Sequence, residues 1–103
     1  AASGVEVPAP SPLFALEQNV PNPFNPITQI AFTLAEPAGV RLDIHSVDGR
    51  RVRRFGQRTL PAGRHTLAWD GRDDGGRPLP AGAYLYRIVA GGHAEARTMI
   101  LAK

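Results

Sequence analysis

The sequence predicts an all-β fold in which about seven short antiparallel strands form two sheets packed face to face. Two observations predict it. Between breaks in the chain, apolar residues alternate with period two, as a strand with one buried face requires. Turn signals rich in Gly, Pro and Asp recur about every 8–12 residues, the spacing typical of sandwiches and barrels. We find no convincing helical segment.

Composition narrows the class of protein. The chain has 103 residues, a net charge of +3 and no Cys, so we expect one domain whose core forms without disulfides or cysteine-ligated zinc. Its apolar stretches fall short of the roughly 20 residues of a membrane helix, and its N-terminus lacks the pattern of a signal peptide. The sequence therefore predicts neither a membrane span nor a signal peptide.

The start of the chain has the composition of a linker. Residues 1–12 hold three prolines with small residues between them and no apolar period. Such a segment favours extended conformations and cannot bury enough surface to fold alone. We therefore expect a flexible linker over residues 1–12, a folded domain over 13–103, and a larger parent protein on the N-terminal side.

Apolar residues divide the folded domain into strands, of which the first is predicted around Leu13 to Glu17. The alternating apolar residues of the later strands are Ile30, Phe32 and Leu34; Val40, Leu42 and Ile44; Val52 and Phe55; Leu67 and Trp69; Tyr84, Tyr86 and Ile88; Met99 and Leu101. Val52 and Phe55 are out of phase by one residue, which predicts a bulge in that strand. The run 83–89 is apolar on both faces, so we expect Leu85 and Val89 to lie under a loop or to form an exposed patch.

Five turn signals separate these strands. Glu36 to Gly39 has the Pro and Gly positions of a type I turn. Asp48-Gly49 lies between two alternating runs and predicts a hairpin with a primed turn, because Gly tolerates the positive φ that such a turn imposes. The tetrapeptide LPAG occurs twice, at residues 60–63 and 79–82, each time just before a strand. Gly91-Gly92 supplies the last tight connection.

One loop holds a cluster of acids, Asp70, Asp73 and Asp74 in the stretch WDGRDDGG. Carboxylates gathered by a flexible backbone can hold calcium, although the spacing is not that of an EF-hand and two arginines offset the charge. The sequence favours the alternative, a hairpin loop in which Asp side chains bond backbone amides. We therefore predict no metal site and no cofactor.

Catalytic machinery is not visible in the sequence. His45, His65 and His93 fall on separate strands without a nearby acid at relay spacing, and the chain has no Cys nucleophile. None of its serines lies in a Gly-x-Ser-x-Gly elbow, and no paired carboxylates flank a cleft. We predict that the chain is not an enzyme.

The basic stretch from Arg50 to Arg58 supports two interpretations. Charge on an edge strand protects it from pairing with another chain, and we favour this role. Guanidinium groups in a row can also bind phosphate or an anionic polysaccharide. Nucleic acid is not predicted as a partner, because Trp69 and the other aromatic residues lie in phase with the core and not where bases could stack on them.

The segment NVPNPFNP, residues 19–26, carries a resemblance to a known family. Its prolines fix φ, its asparagines can bond the backbone, and Phe24 can anchor it on the core. It resembles the start of the immunoglobulin-like C-terminal modules of the type IX secretion sorting family, which are related to the Ig-like domain of flagellar hook-capping proteins. The resemblance continues through VDGR, LPAG, WDGRD and GAYLYR to Lys103. The signature residues are Asn22, Pro23, Phe24, Asn25, Pro26, Trp69, Asp70, Gly82, Tyr84 and Tyr86.

The resemblance implies an Ig-like sandwich that directs export of a larger secreted protein across the outer membrane and attaches it to the cell surface. Its partners would be the secretion machinery and outer-membrane components. We predict that recognition uses the last two strands, 84–88 and 97–103. The residues expected to carry it are Arg87, Arg97, Met99, Leu101 and Lys103.

Three alternatives remain open on the sequence alone. The domain can be a structural Ig-like spacer in a longer protein. It can be a glycan-binding module that uses Arg50 to Arg58 and Leu85. It can also self-associate into a surface layer or filament through exposed edges or the linker.

Overall fold

The computed structural model describes residues 14–102 and confirms the all-β prediction. The predicted linker 1–12, Leu13 and Lys103 lie outside these residues. The strands are β1 (Phe14–Leu16), β2 (Thr28–Leu34), β3 (Ala38–Ser46), β4 (Arg51–Leu60), β5 (Gly63–Trp69), β6 (Gly82–Ala90) and β7 (His93–Leu101). Residues 14–102 include no helix of the length and hydrophobicity needed to cross a membrane.

Two antiparallel sheets pack face to face, one of three strands in the order β1-β2-β5 and one of four in the order β4-β3-β6-β7. The predicted alternation determines which residues lie between them, because every second side chain of a strand points to the same face. The core residues from the alternating sets are Ile30, Phe32, Leu34, Val40, Leu42, Ile44, Val52, Trp69, Tyr84, Tyr86, Ile88, Met99 and Leu101.

The bulge predicted in β4 is confirmed and occurs twice. Pairing with β3 shifts register at two places, and at both β4 contains one residue more than β3, first at Val52 and again around Phe55–Gly56. Gly56 has a φ of 73°, in the left-handed region that favours glycine. Because of the extra residues, Val52 is buried in the core and Phe55 packs against it.

The first two predicted turns differ from the structure in detail. The turn placed at Glu36 to Gly39 is wrong in extent, because β3 already begins at Ala38 and pairs there with Leu60. The Asp48-Gly49 hairpin is present, but its turn is not the type I′ turn that this dipeptide favours. Only Gly49 has a positive φ, and its N–H donates to the Ser46 carbonyl at 3.0 Å. A type I turn followed by a left-handed glycine fits this three-residue loop.

The remaining turn predictions are confirmed. Both LPAG tetrapeptides end in a glycine that opens a strand with a positive φ, 125° at Gly63 and 151° at Gly82. Gly91 and Gly92 have φ values of 56° and 84° and join β6 to β7 directly. The chain therefore changes direction at the positions where glycine removes the steric cost.

Candidate recognition surface

The residues 19–26, which we call the signature segment, lie against the last strand. The Phe24 N–H donates to the Ile100 carbonyl at 3.0 Å, and the Ala102 N–H donates to the Phe24 carbonyl at 2.8 Å. Phe24 and Leu101 form a parallel bridge. A short extended part of the signature segment therefore adds to the outer edge of β7.

Two side chains extend this contact along β7. The Asn22 Oδ1 accepts a hydrogen bond from the Ile100 N–H at 2.9 Å. The Gln18 Nε2 donates to the Thr98 carbonyl at 2.8 Å. Backbone groups on the free side of an edge strand are templates for pairing, so these bonds cover the C-terminal half of the β7 edge.

Aromatic packing holds the signature segment in place. Phe24 is 1% exposed, and its ring centroid lies 5.6 Å from that of Trp69. Trp69 in turn lies 5.7 Å from Tyr84 in an edge-on arrangement. The Trp69 Nε1 donates to the Arg72 carbonyl at 2.9 Å and the Tyr84 hydroxyl to the Pro80 carbonyl at 2.6 Å, so both buried polar atoms have partners. Phe24 is therefore the anchor that the sequence predicted.

A buried polar network fixes the start of the segment. The Tyr86 hydroxyl donates to the Glu17 carbonyl at 2.7 Å and accepts from the Asn19 N–H at 2.9 Å. The Asn19 Nδ2 donates to the Thr28 Oγ1 at 3.0 Å. Burial raises the pKa of Tyr86. Asn19 and Thr28 were missed as site residues, and the only sequence signal was the position of Asn19 at the start of the segment.

The WDGRD motif approaches the same region. Gly71 has a φ of 75°, and a Cβ on it would lie 3.3 Å from the Pro26 carbonyl oxygen and 3.6 Å from Leu101. Glycine is therefore required both by conformation and by close approach. Gly82 pairs with Leu101 across the sheet, and Pro23 and Asn25 are exposed on the surface of the segment.

The carboxylates of Asp73 and Asp74 in the acidic loop accept hydrogen bonds from backbone N–H groups. The Asp73 Oδ1 accepts from the N–H groups of Gly75 and Arg77, both at 2.9 Å, and these bonds, with that of Arg77 contributing most, lower its pKa. The Asp74 Oδ1 accepts from the Arg54 N–H at 2.9 Å. The Asp70 Oδ1 lies 3.6 Å from the Arg53 guanidinium. Within residues 14–102, no three potential ligand side chains are grouped to hold a metal ion.

The predicted recognition residues do not form one surface. The side chains of Met99 and Leu101 are 0% and 1% exposed and belong to the core. Arg87 is exposed on the outer face of the four-stranded sheet. The Arg97 Nε donates to the Leu16 carbonyl at 2.8 Å, which ties β7 to the other sheet. Lys103 lies outside the described residues.

The outer face of the four-stranded sheet gathers basic groups around one acid. Arg51 and Leu85 stand on either side of His45 in one row, which brings together two elements of the glycan alternative. The Asp43 side chain is 8% exposed, and its Oδ2 lies 3.5 Å from the Arg41 Nε. Among the described residues, no group donates to the buried Asp43 Oδ1.

β4 is the edge strand opposite β7, as the edge-protection interpretation of the basic stretch requires. Its arginines do not all face the same way. Arg51 and Arg54 pair with outward residues of β3, whereas Arg53 lies over the Phe55 ring at 4.6 Å and reaches the acidic loop. The basic stretch is therefore divided between the two faces of the strand.

Comparisons with known proteins agree on the fold. The model of the FlgD Ig-like domain family matches residues 24–93. A search of curated proteins finds no match. Among solved structures, the chain is similar to dimeric latent PorU from Porphyromonas gingivalis, with a TM-score of 0.70 and 21% identity over 86% of this chain and 9% of PorU.

Two further structures share the fold at a lower level. FlgD from P. aeruginosa has a TM-score of 0.55 and 22% identity over 73% of this chain and 59% of FlgD. The alkylpurine DNA glycosylase AlkC from Pseudomonas fluorescens, bound to DNA containing an abasic site analog, has a TM-score of 0.57 and 15% identity over 88% of this chain and 31% of AlkC. This chain thus spans only part of each of these proteins, and such different proteins show that the fold alone does not determine function.

Proposed function

We propose that this chain, which belongs to the FlgD Ig-like domain family, is a non-catalytic sorting module that directs a larger secreted protein across the outer membrane and holds it at the cell surface. The parent protein would precede residues 1–12. The module would act by binding the secretion machinery and outer-membrane components, and its own residues would perform no chemistry.

One observation carries this proposal, the hydrogen-bonded seam between the signature segment and β7. A sorting module must present a defined surface to its receptor, and preorganised surfaces bind with less loss of conformational entropy. The seam fixes the last strand in one position from Thr98 to Ala102. It leaves Arg87 and Arg97 on opposite faces of the β6-β7 hairpin, where a receptor can contact both. The likeness to PorU points in the same direction.

The test is a fusion of the full chain to a reporter in a host that has a type IX machinery. We expect the reporter at the surface or in the medium, and in the periplasm when the machinery is disabled. Deleting residues 92–103 should abolish export. Periplasmic retention of a protease-resistant fusion would reject the sorting role and leave a structural Ig-like spacer.

A point variant sharpens this test. Arg87→Gln removes a charge from the predicted recognition strand, whereas Arg58→Gln makes the same change on β4, the far edge of the sheet. Both arginines are exposed and neither change places like charges opposite each other, so neither should unfold the domain. We expect export to fall for Arg87→Gln and to stay unchanged for Arg58→Gln. Equal export of the two variants would exclude Arg87 from recognition.

The outer face favours a second candidate function, binding of an anionic glycan. Arg51, Arg54 and Arg87 are exposed there beside the exposed apolar side chain of Leu85, and a guanidinium can bond a carboxylate through two N–H groups. Polygalacturonate is a suitable probe. Binding should weaken with added salt and with Arg51→Ala plus Arg87→Ala, but not with Arg64→Ala, whose guanidinium already pairs with Glu17. A flat isotherm would dismiss this function.

A further inference from the structure

Half of the β7 edge has no partner within residues 14–102. The backbone groups that bond Gln18 and the signature segment belong to Thr98, Ile100 and Ala102. All three are even-numbered, so the N–H and carbonyl groups of the even-numbered residues of β7 point away from β6. The same parity applies to Ala94 and Ala96 in the N-terminal half. Their N–H and carbonyl groups therefore point outward, and no described residue bonds them from that side.

We propose that the β7 edge at Ala94 and Ala96 binds an extended strand of another polypeptide, which adds antiparallel to the four-stranded sheet. This goes beyond the sorting role, because it specifies a mode of binding and the chemistry of the bound segment. Strand addition gains affinity from main-chain hydrogen bonds and specificity from the side chains on alternate positions.

The geometry of β7 suits an added strand. β6 and β7 pair over their full length without a register shift, so the edge is regular. On the outer face Ala94 and Ala96 present only methyl groups, which leaves room for side chains of a neighbouring strand. The signature segment already uses the same edge at Phe24, so strand addition there would continue an existing contact.

A second copy of this chain is a poor occupant. A two-fold pairing that uses only the free groups of Ala94 and Ala96 places its axis at Glu95. It then sets Glu95 directly against Glu95, and like charges directly opposite each other destabilise a sheet. Moving the axis to Ala96 requires the Thr98 carbonyl, which already accepts from Gln18. The arrangement therefore favours a different polypeptide.

The charges beside the free groups define the chemistry of that polypeptide. Glu95 and Arg97 are exposed and lie on the other face of β7 from the alanines. A complementary strand carries a basic side chain opposite Glu95 and an acidic one opposite Arg97, with uncharged residues between and beside them. Inward-pointing charges on an edge also discourage strands that lack this pattern.

The experiment uses the full chain and the peptide TVEVKVT, which places Glu opposite Arg97 and Lys opposite Glu95 when it pairs antiparallel. Binding and amide exchange are followed residue by residue by NMR. We expect the Ala94 and Ala96 amides to exchange fast in the free chain and to become protected with peptide. Protection in the free chain would mean that the chain itself covers this edge, and it would overturn the proposal. Protection induced elsewhere would overturn it as well.

Variants separate strand addition from non-specific binding. The Ala96 N–H bonds no strand within the domain, so Ala96→Pro should fold and weaken the peptide about tenfold, the loss of one hydrogen bond. Ala96→Ser keeps the N–H and should bind normally. The charge-swapped peptide TVKVEVT should bind about three- to tenfold more weakly. The double variant Glu95→Lys, Arg97→Glu should reverse that preference, and equal binding of both peptides would overturn the proposal.

Discussion

The two edges of the four-stranded sheet are built differently. β4 carries two bulges and four arginines, and one of these, Arg53, is held by the acidic loop. β7 is regular and has alanines on its outer face, and the signature segment covers only its C-terminal half. Bulges and charged side chains prevent the strand that carries them from pairing with another chain, whereas a covering segment prevents pairing only at the residues that it reaches.

The two edges also differ in how far along the chain the residues that protect them lie. The protection of β4 comes from the bulges and arginines of the strand itself and, at Val52 and Arg54, from hydrogen bonds to Asp74 of the acidic loop. The protection of β7 is long-range and comes from residues near the start of the domain. When distant residues cover an edge strand, they can cover one half of it and leave the other half open. The covered half of β7 then stabilises the domain, and the open half can bind a partner.

The largest expected effect comes from removing the anchor of the β7 cover. Phe24→Ala deletes a fully buried ring that packs on Trp69, and we expect a loss of about 3–5 kcal/mol in the free energy of unfolding. Urea titration measures it. The Ile100 and Ala102 amides should also exchange faster. The matched variant on the other edge, Phe55→Ala, removes a ring that is only partly buried and should cost less; an equal loss would contradict the comparison.

Tyr86→Phe tests the network at the start of the signature segment. It leaves the Asn19 N–H and the Glu17 carbonyl without their partner, which should cost about 1–3 kcal/mol. Tyr84→Phe is the control, because the Tyr84 hydroxyl bonds only the Pro80 carbonyl and should be worth less. Both are measured by denaturant unfolding at neutral pH.

The same tyrosine predicts a pH dependence. Burial raises the pKa of Tyr86 above its ordinary value of 10.0, so the unfolded chain loses this proton before the folded chain does. Its contribution is therefore complete below pH 10 and declines as the pH rises from there through the folded-state pKa. Unfolding free energies measured from pH 9 to 11 should fall less steeply in Tyr86→Phe than in the parent chain. Parallel profiles would exclude Tyr86 as the cause.

Gly56→Ala probes the bulge that protects β4. Nothing lies within 4 Å of the added Cβ, so the cost comes from the φ of 73° alone and should be about 1–2 kcal/mol. Gly39→Ala on the adjacent strand lacks a left-handed φ and touches only the flexible end of Gln57 at 3.3 Å. It should be close to neutral in thermal unfolding. If Gly39→Ala lost more stability than Gly56→Ala, packing of the added methyl group, and not the left-handed φ, would explain the cost.

The smallest expected effect concerns a single exposed bond of the cover. Asn22→Ala removes the acceptor of the Ile100 N–H and should cost at most about 1 kcal/mol. Its clearer signal is faster exchange of the Ile100 amide. Asn25→Ala, at an exposed position of the same segment, should leave that amide unchanged. No difference between the variants would mean that the main-chain bridge at Phe24 suffices to cover the edge.

Short-range patterns in the sequence predicted most of the fold. Alternation predicted the core strands, the phase slip at Val52 and Phe55 predicted one bulge where the structure has two, and the LPAG repeats predicted two turns. The Asp48-Gly49 turn type could not be predicted, because two- and three-residue loops use similar residues and register decides between them. The seam could not be derived either, since it joins Gln18 and Asn22 to residues about 80 positions away. The lack of a donor to the buried Asp43 Oδ1 also depends on tertiary packing.

The separation of 80 residues between Gln18 and Thr98 also sets an order of events. A chain made from its N-terminus exposes the signature segment before β7, the strand that this segment covers, has been synthesised. Contacts between residues so distant in sequence form slowly, because the entropy cost of closing the long loop between them must be met first. The seam can therefore close only after synthesis has passed Ile100, and a chain truncated before that point would expose Asn22 and Phe24 without their partner.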